Sequence, residues 1–159
     1  MFEKILISRC FLGDNVRYDG EPIPLNHPLL RLWQQQNRLI AICPEVSGGL
    51  SVPREPAEQQ SNNNKIITIS NIDVSTQFNF GAKQALALCQ KHSIRFALLK
   101  ESSPSCGSTL IYDGSFSDKK IAGQGVTSMM LTHHGIKVFS ENNVEELAEM
   151  LEATSLSYR

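Results

Sequence analysis

Four short apolar runs separated by segments of helical periodicity are the feature that most restricts how this chain can fold. The runs cover residues 4–8, 39–42, 94–100 and 136–139. A short apolar run bounded by turn residues is typical of a buried strand, and strands that alternate with helices favour a parallel sheet. The sequence therefore predicts an α/β fold, with an open and mostly parallel sheet flanked by helices.

A small β-hairpin insertion is predicted between the second and third runs. Residues 65–70 and 72–74 read as short strands parted by Asn71, a turn former, and the polar segment 58–64 before them reads as an exposed connection. The chain has 159 residues, which suits one domain with a single core. We expect residues 1–159 to form one domain.

The overall charge excludes no enzyme class but does not favour a polyanionic partner. The formal net charge is -1, which gives no broad positive field for nucleic acid or an acidic membrane. No apolar run approaches the roughly 20 residues that cross a bilayer, and the first run is too short for a signal peptide. We expect a cytoplasmic protein with no membrane partner, in which the 4 cysteines stay reduced rather than forming disulfides.

Three of these cysteines follow predicted core strands. Cys10 comes after the first run, Cys43 after the second, and Cys106 lies in a loop of Ser, Pro and Gly after the third. Because the carboxyl ends of parallel strands face one crevice, the three thiols are candidates to converge there. Spacing alone leaves two readings open, namely unrelated reduced thiols or a soft ligand set for an iron-sulfur cluster, zinc or copper(I). Cys89 falls in the apolar stripe of a predicted helix and is expected to be a core residue.

Three motifs around these cysteines occur in a fixed order along the chain. They are Cys10-Phe11-Leu12-Gly13, Cys43-Pro44-Glu45 and Ser103-Pro104-Ser105-Cys106-Gly107. Together they resemble the short thiouracil desulfurase family, long labelled a domain of unknown function. The resemblance implies an α/β fold and a 4Fe-4S cluster held by Cys10, Cys43 and Cys106, with one open iron. It also implies the non-redox removal of sulfur from a thiolated pyrimidine such as 2-thiouracil, giving uracil and hydrogen sulfide.

The chemistry of that reaction suggests which further residues take part. A thiocarbonyl sulfur is a soft donor that suits an open iron, and water attacking the adjacent carbon needs a proton acceptor. Glu45, two residues past Cys43, is the first candidate for proton transfer, and Asp14 is a weaker second. Ser103 is expected either to hydrogen-bond the substrate or the water, or only to shape its turn. The simpler alternative is that Glu45 is a surface glutamate or a glutamate at the start of a helix, with no part in the reaction.

Two other functions compete with this one. Desulfuration of thiouridine in RNA requires a basic rim, for which Arg9, Arg17, Arg54 and Lys100 are available, although the net charge does not favour RNA. A sensor or sulfur-carrier module would need the cluster but not Glu45. The expected partner is a small thiolated nucleobase, and nothing in the sequence specifies an oligomeric state.

Overall fold

A four-stranded parallel sheet is the centre of the molecule. The computed structural model describes residues 2–157. Its strands are β1 (Ile5–Ser8), β2 (Leu39–Ile42), β3 (Ala57–Gln59), β4 (Ile66–Thr68), β5 (Phe96–Leu98), β6 (Leu110–Tyr112), β7 (Lys120–Ala122) and β8 (Lys137–Phe139). The sheet has the order β2-β1-β5-β8, with every neighbouring pair parallel. The predicted fold class is confirmed.

Helices cover both faces of this sheet. They are α1 (Pro28–Gln35), α2 (Pro44–Ser47), α3 (Ser75–Lys91), α4 (Val126–His133) and α5 (Val144–Ser157). Side chains alternate between the faces of a strand, so Ile5 and Ile7 of β1 pack with α1 and α5, whereas Leu6 packs with α3 and α4. All three side chains are fully buried, which is why Ile5, Leu6 and Ile7 are all apolar although they alternate between the two faces.

The hairpin insertion is present, and it contains one more strand than predicted. Strand β4 pairs antiparallel with β3, which lies partly in the segment expected to be an exposed connection. The predicted pairing with residues 72–74 is also present, as one antiparallel bridge between Ile67 and Asp73 with backbone hydrogen bonds from Thr68 to Ile72 and from Val74 to Ile66, each at 2.9 Å. It stays this short because α3 begins directly after Val74. A second antiparallel pair, β6 with β7, follows the loop that carries Cys106.

Two glycines allow α2 to approach α3 more closely than any side chain would permit. A Cβ placed on Gly81 would lie 1.9 Å from the carbonyl oxygen of Pro44, and one on Gly48 would lie 2.0 Å from that of Gln77. Since α2 follows directly after Cys43, this contact fixes the second cysteine against the long helix. Within residues 2–157, no helix has the length and apolar character needed to cross a membrane.

Candidate functional site

A cavity of about 610 Å³ opens at the carboxyl edge of the parallel sheet. Its wall includes the ends of β1 and β2, the segment that follows β5, and residues of both antiparallel pairs. Cys10, Cys43 and Cys106 all lie in this wall, and so do Glu45 and Ser103. The structure therefore brings together five of the six side chains that the sequence singled out.

Each of the three cysteines is held by a different local structure. Cys10 lies in the 3₁₀ turn Arg9–Leu12 directly after β1 and is buried. Cys43 is half-buried at the start of α2, and its Sγ donates to the carbonyl oxygen of Val16 at 3.8 Å. Cys106 is buried in the loop between β5 and β6. The fourth cysteine, Cys89, lies on the buried face of α3 and packs in the core, as predicted.

The loop that carries Cys106 is fixed from both sides. Ser128 at the start of α4 donates its hydroxyl to the carbonyl oxygen of Cys106 at 2.7 Å. A Cβ on Gly125 would lie 2.4 Å from the carbonyl carbon of Ser105, so only glycine fits where the loop meets this helix. On the other side, the buried carboxylate of Glu101 accepts hydrogen bonds from the backbone of Ser102, Ser108, Thr109 and Leu110 and from the hydroxyls of Ser108 and Thr109.

Burial and neighbouring cysteines raise the pKa values of the Cys10 and Cys106 thiols. Burial, with a smaller contribution from the nearby Cys43, raises the pKa of Cys10 to about 11. Burial also raises the pKa of Cys106, with added contributions from Glu45, Cys43 and Cys10. The pKa of Cys43 is likewise raised, chiefly by burial. Three buried thiolates in one cavity would repel, and a cationic group between them would relieve that repulsion.

The three cysteines offer a soft donor set at one cavity. Thiolates are the ligands of iron-sulfur clusters, so the chemistry of these residues fits such a cluster. Among residues 2–157, no group of three His, Cys, Asp or Glu side chains is placed to hold a single metal ion.

A carboxylate, a hydroxyl and a guanidinium form a connected group beside the cysteines. Ser103 Oγ donates to Glu45 Oε1 at 3.3 Å, and it accepts from the backbone N–H groups of Ser105 and Cys106, each at 3.1 Å. The other oxygen, Glu45 Oε2, accepts from Arg54, which is buried beside it. Glu45 is thus not a surface glutamate, because its side chain is only 15% exposed.

The structure does not place Asp14 with this group. Asp14 is absent from the cavity wall, and its Oδ2 pairs with Arg9 Nε at 3.0 Å, where both side chains are more than 40% exposed. Proton transfer by Asp14 therefore gains no support from its position.

Two charged residues of the site were not identified from the sequence as site residues. Glu101 organises the Cys106 loop, and the signal for it was a carboxylate placed just ahead of several Ser and Thr donors. Arg54 was considered only as part of a basic rim, although it lies in the wall beside Glu45. Its role depends on a contact that spacing alone does not reveal.

Comparisons with known proteins cover nearly the whole chain. The family model described as 2-thiouracil desulfurase matches residues 5–143. An uncharacterized protein, YbbK, of Bacillus subtilis (strain 168) is 38% identical over 151 residues, which is 90% of this chain and 99% of that protein. A solved structure described as a [4Fe-4S]-dependent thiouracil desulfidase, TudS, is 48% identical, with a TM-score of 0.92, and the match covers 95% of this chain and 99% of that one.

Proposed function

The chain belongs to the 2-thiouracil desulfurase family, and from that membership we propose that it removes sulfur from a thiolated pyrimidine such as 2-thiouracil. The products are uracil and hydrogen sulfide, with no net redox change. The observation that carries this proposal is the presence of three cysteines and Glu45 in the wall of one cavity. We take residues 1–159 as one desulfurase domain.

The cofactor that we propose is a 4Fe-4S cluster held by Cys10, Cys43 and Cys106. A structural relative at 48% identity is described as 4Fe-4S-dependent, and the buried thiols supply a soft donor set. Three protein ligands would leave one iron open. What such a cluster supplies when bound is Lewis acidity toward the thiocarbonyl sulfur of the substrate.

Glu45 is the residue that we propose for proton transfer. Its Oε2 is occupied by Arg54, whereas Oε1 faces the hydroxyl of Ser103. Oε1 can therefore accept the proton of an attacking water and later return it to the leaving sulfur. The carboxylate is held in the cavity wall, where a substrate bound beside the cysteines would meet it.

Ser103 is proposed to act as a hydrogen-bond donor toward the substrate or the water. A serine hydroxyl has one hydrogen and two acceptor lone pairs. Both lone pairs are used by the N–H groups of Ser105 and Cys106, so only the hydrogen remains. That hydrogen is donated to Glu45 Oε1 in this structure, so Ser103 donates to the substrate or the water only when its hydroxyl turns away from the carboxylate.

The charges of the cavity wall suit a small substrate better than RNA. Its cationic side chains are matched by acidic ones in the same wall, namely Arg9, Arg17, Arg54, Lys100 and Lys120 against Glu45, Glu55, Glu58, Glu101 and Asp118. The four cations proposed for a basic rim are each in an ion pair. A nucleic-acid backbone requires unmatched positive charge.

The test is a sulfide-release assay on protein purified and reconstituted without oxygen. We expect the wild type to show visible absorbance, iron and acid-labile sulfide, and to release one sulfide for each uracil formed. Cys106→Ser should lose both iron and activity, whereas the matched variant Cys89→Ser should keep both.

Glu45→Gln separates the enzyme from a sensor or carrier module. We expect this variant to keep its iron while kcat falls by about 10² to 10⁴. A protein that carries the cluster but releases no sulfide from 2-thiouracil would contradict the proposed substrate. An unchanged function in Glu45→Gln would contradict the proton-transfer role.

A further inference from the structure

We propose that Arg54 is a positioning residue that divides the two oxygens of the Glu45 carboxylate between a structural and a reactive task. The inference rests on the proposed function, because it concerns the residue assigned to proton transfer. It extends that function to a side chain whose hydrogen bonds go to Glu45, Ser51 and Val16.

The guanidinium of Arg54 is buried, and each of its three nitrogens donates a hydrogen bond. Its Nε donates to Glu45 Oε2 at 3.1 Å, and its Nη2 donates to that same oxygen. Nη2 also donates to the carbonyl oxygen of Val16 and Nη1 to that of Ser51, each at 3.0 Å. The side chain is only 9% exposed.

Both Arg54 contacts to Glu45 fall on one oxygen, and this asymmetry is the basis of the proposal. An arginine that served only as a counter-charge would commonly bind both carboxylate oxygens in a fork. Here the guanidinium takes Oε2 and leaves Oε1 to Ser103 and the cavity. These contacts fix the orientation of the carboxylate, so Oε1 stays directed toward Ser103 and the cavity.

Arg54 also joins the loop after Cys10 to the segment after Cys43. Its backbone N–H donates to Tyr18 at 2.7 Å, while its side chain holds Val16 and Glu45. Val16 in turn accepts from the Cys43 thiol. The same guanidinium therefore sets the distance between the first loop and the acid, and a residue without the planar fork cannot make these contacts together.

A double-mutant cycle on the reconstituted holoenzyme tests this role. Arg54→Gln, Glu45→Gln and the double variant are compared with wild type for kcat, KM, visible absorbance and iron content. Arg31→Gln is the matched control, because Arg31 is exposed on α1 and contacts Asn26. We expect Arg54→Gln to lower kcat by about 10- to 100-fold, with KM changed less than about 3-fold and iron unchanged.

The decisive result is the rate of the double variant. If Arg54 acts through Glu45, adding Arg54→Gln to Glu45→Gln should lower the rate no further. Arg54→Lys should restore part of the rate, because it keeps the charge but not the fork. If Arg54→Gln does not fold, Arg54→Lys with and without Glu45→Gln carries the same comparison.

Three results would overturn the role of Arg54. They are an unchanged kcat in Arg54→Gln, a loss that multiplies with that of Glu45→Gln, and a loss of iron and visible absorbance, which would make Arg54 a residue of cluster binding. A wild-type protein that carries the cluster yet releases no sulfide would instead overturn the proposed function on which this role depends.

Discussion

Removing the charge of Glu101 should destabilise the whole site loop. Burial acts to raise the pKa of this carboxyl, but the hydrogen bonds from Ser108, Thr109, Leu110 and Ser102 outweigh it and lower the pKa from 4.5 to about 2. One pKa unit corresponds to about 1.4 kcal/mol, so the ionised carboxylate contributes about 3 kcal/mol to folding at neutral pH. Glu101→Gln keeps the shape but loses the charge.

The expected effect of Glu101→Gln is therefore a loss of about 2 to 3 kcal/mol at pH 7. For a domain of this size, that loss corresponds to a fall in Tm of roughly 5 to 10 °C. Because the same carboxylate holds the loop between β5 and β6, we also expect the variant to retain less iron through Cys106. The assay is thermal unfolding of both proteins under identical anaerobic conditions, together with iron analysis.

The stability difference between wild type and Glu101→Gln should depend on pH. Folding lowers the pKa of Glu101, so its contribution is complete above the unfolded value of about 4.5 and is lost as the pH falls toward 2. The difference between wild type and Glu101→Gln should therefore narrow between pH 5 and pH 3. Glu145→Gln is the control, because Glu145 is 76% exposed and its loss should cost little. A Glu101→Gln protein as stable as wild type at pH 7 would refute the reasoning.

Two further predictions concern packing around the site. Gly81→Ala should lower the free energy of unfolding by about 1 to 3 kcal/mol and reduce the iron content, because its Cβ would lie 1.9 Å from the carbonyl oxygen of Pro44. The control Lys83→Ala, on the exposed side of α3, should leave both Tm and iron content nearly unchanged. An equally small effect of Gly81→Ala would contradict the close contact. Cys89→Ser should lower the free energy of unfolding by about 1 to 3 kcal/mol, since it places a hydroxyl in an apolar core. The rate of sulfide release should stay at the wild-type value. A loss of iron in this variant would show that Cys89 is not merely a core residue.

The sequence allowed the location of the site to be predicted, but not all of its parts. The placement of Cys10, Cys43 and Cys106 beside one cavity was anticipated from their positions after buried strands. Antiparallel pairing of β4 with residues 72–74 was predicted and is present as a bridge at Asp73, whereas β3, which also pairs with β4, was missed. Residues 57–59 carry no local strand pattern, so composition alone does not indicate that they join a sheet.

Apolar periodicity and turn residues by themselves determined the parallel sheet, the helices and the strand ends that carry the cysteines, since these signals act between residues a few positions apart. Only the tertiary structure decided which charged groups meet. Ser103 reaches Glu45 from 58 positions along the chain, and Arg54 and Glu101 acquire their roles only through folded contacts. A hydrogen bond depends on distances of about 3 Å, and those distances are set by how the loops pack above the sheet.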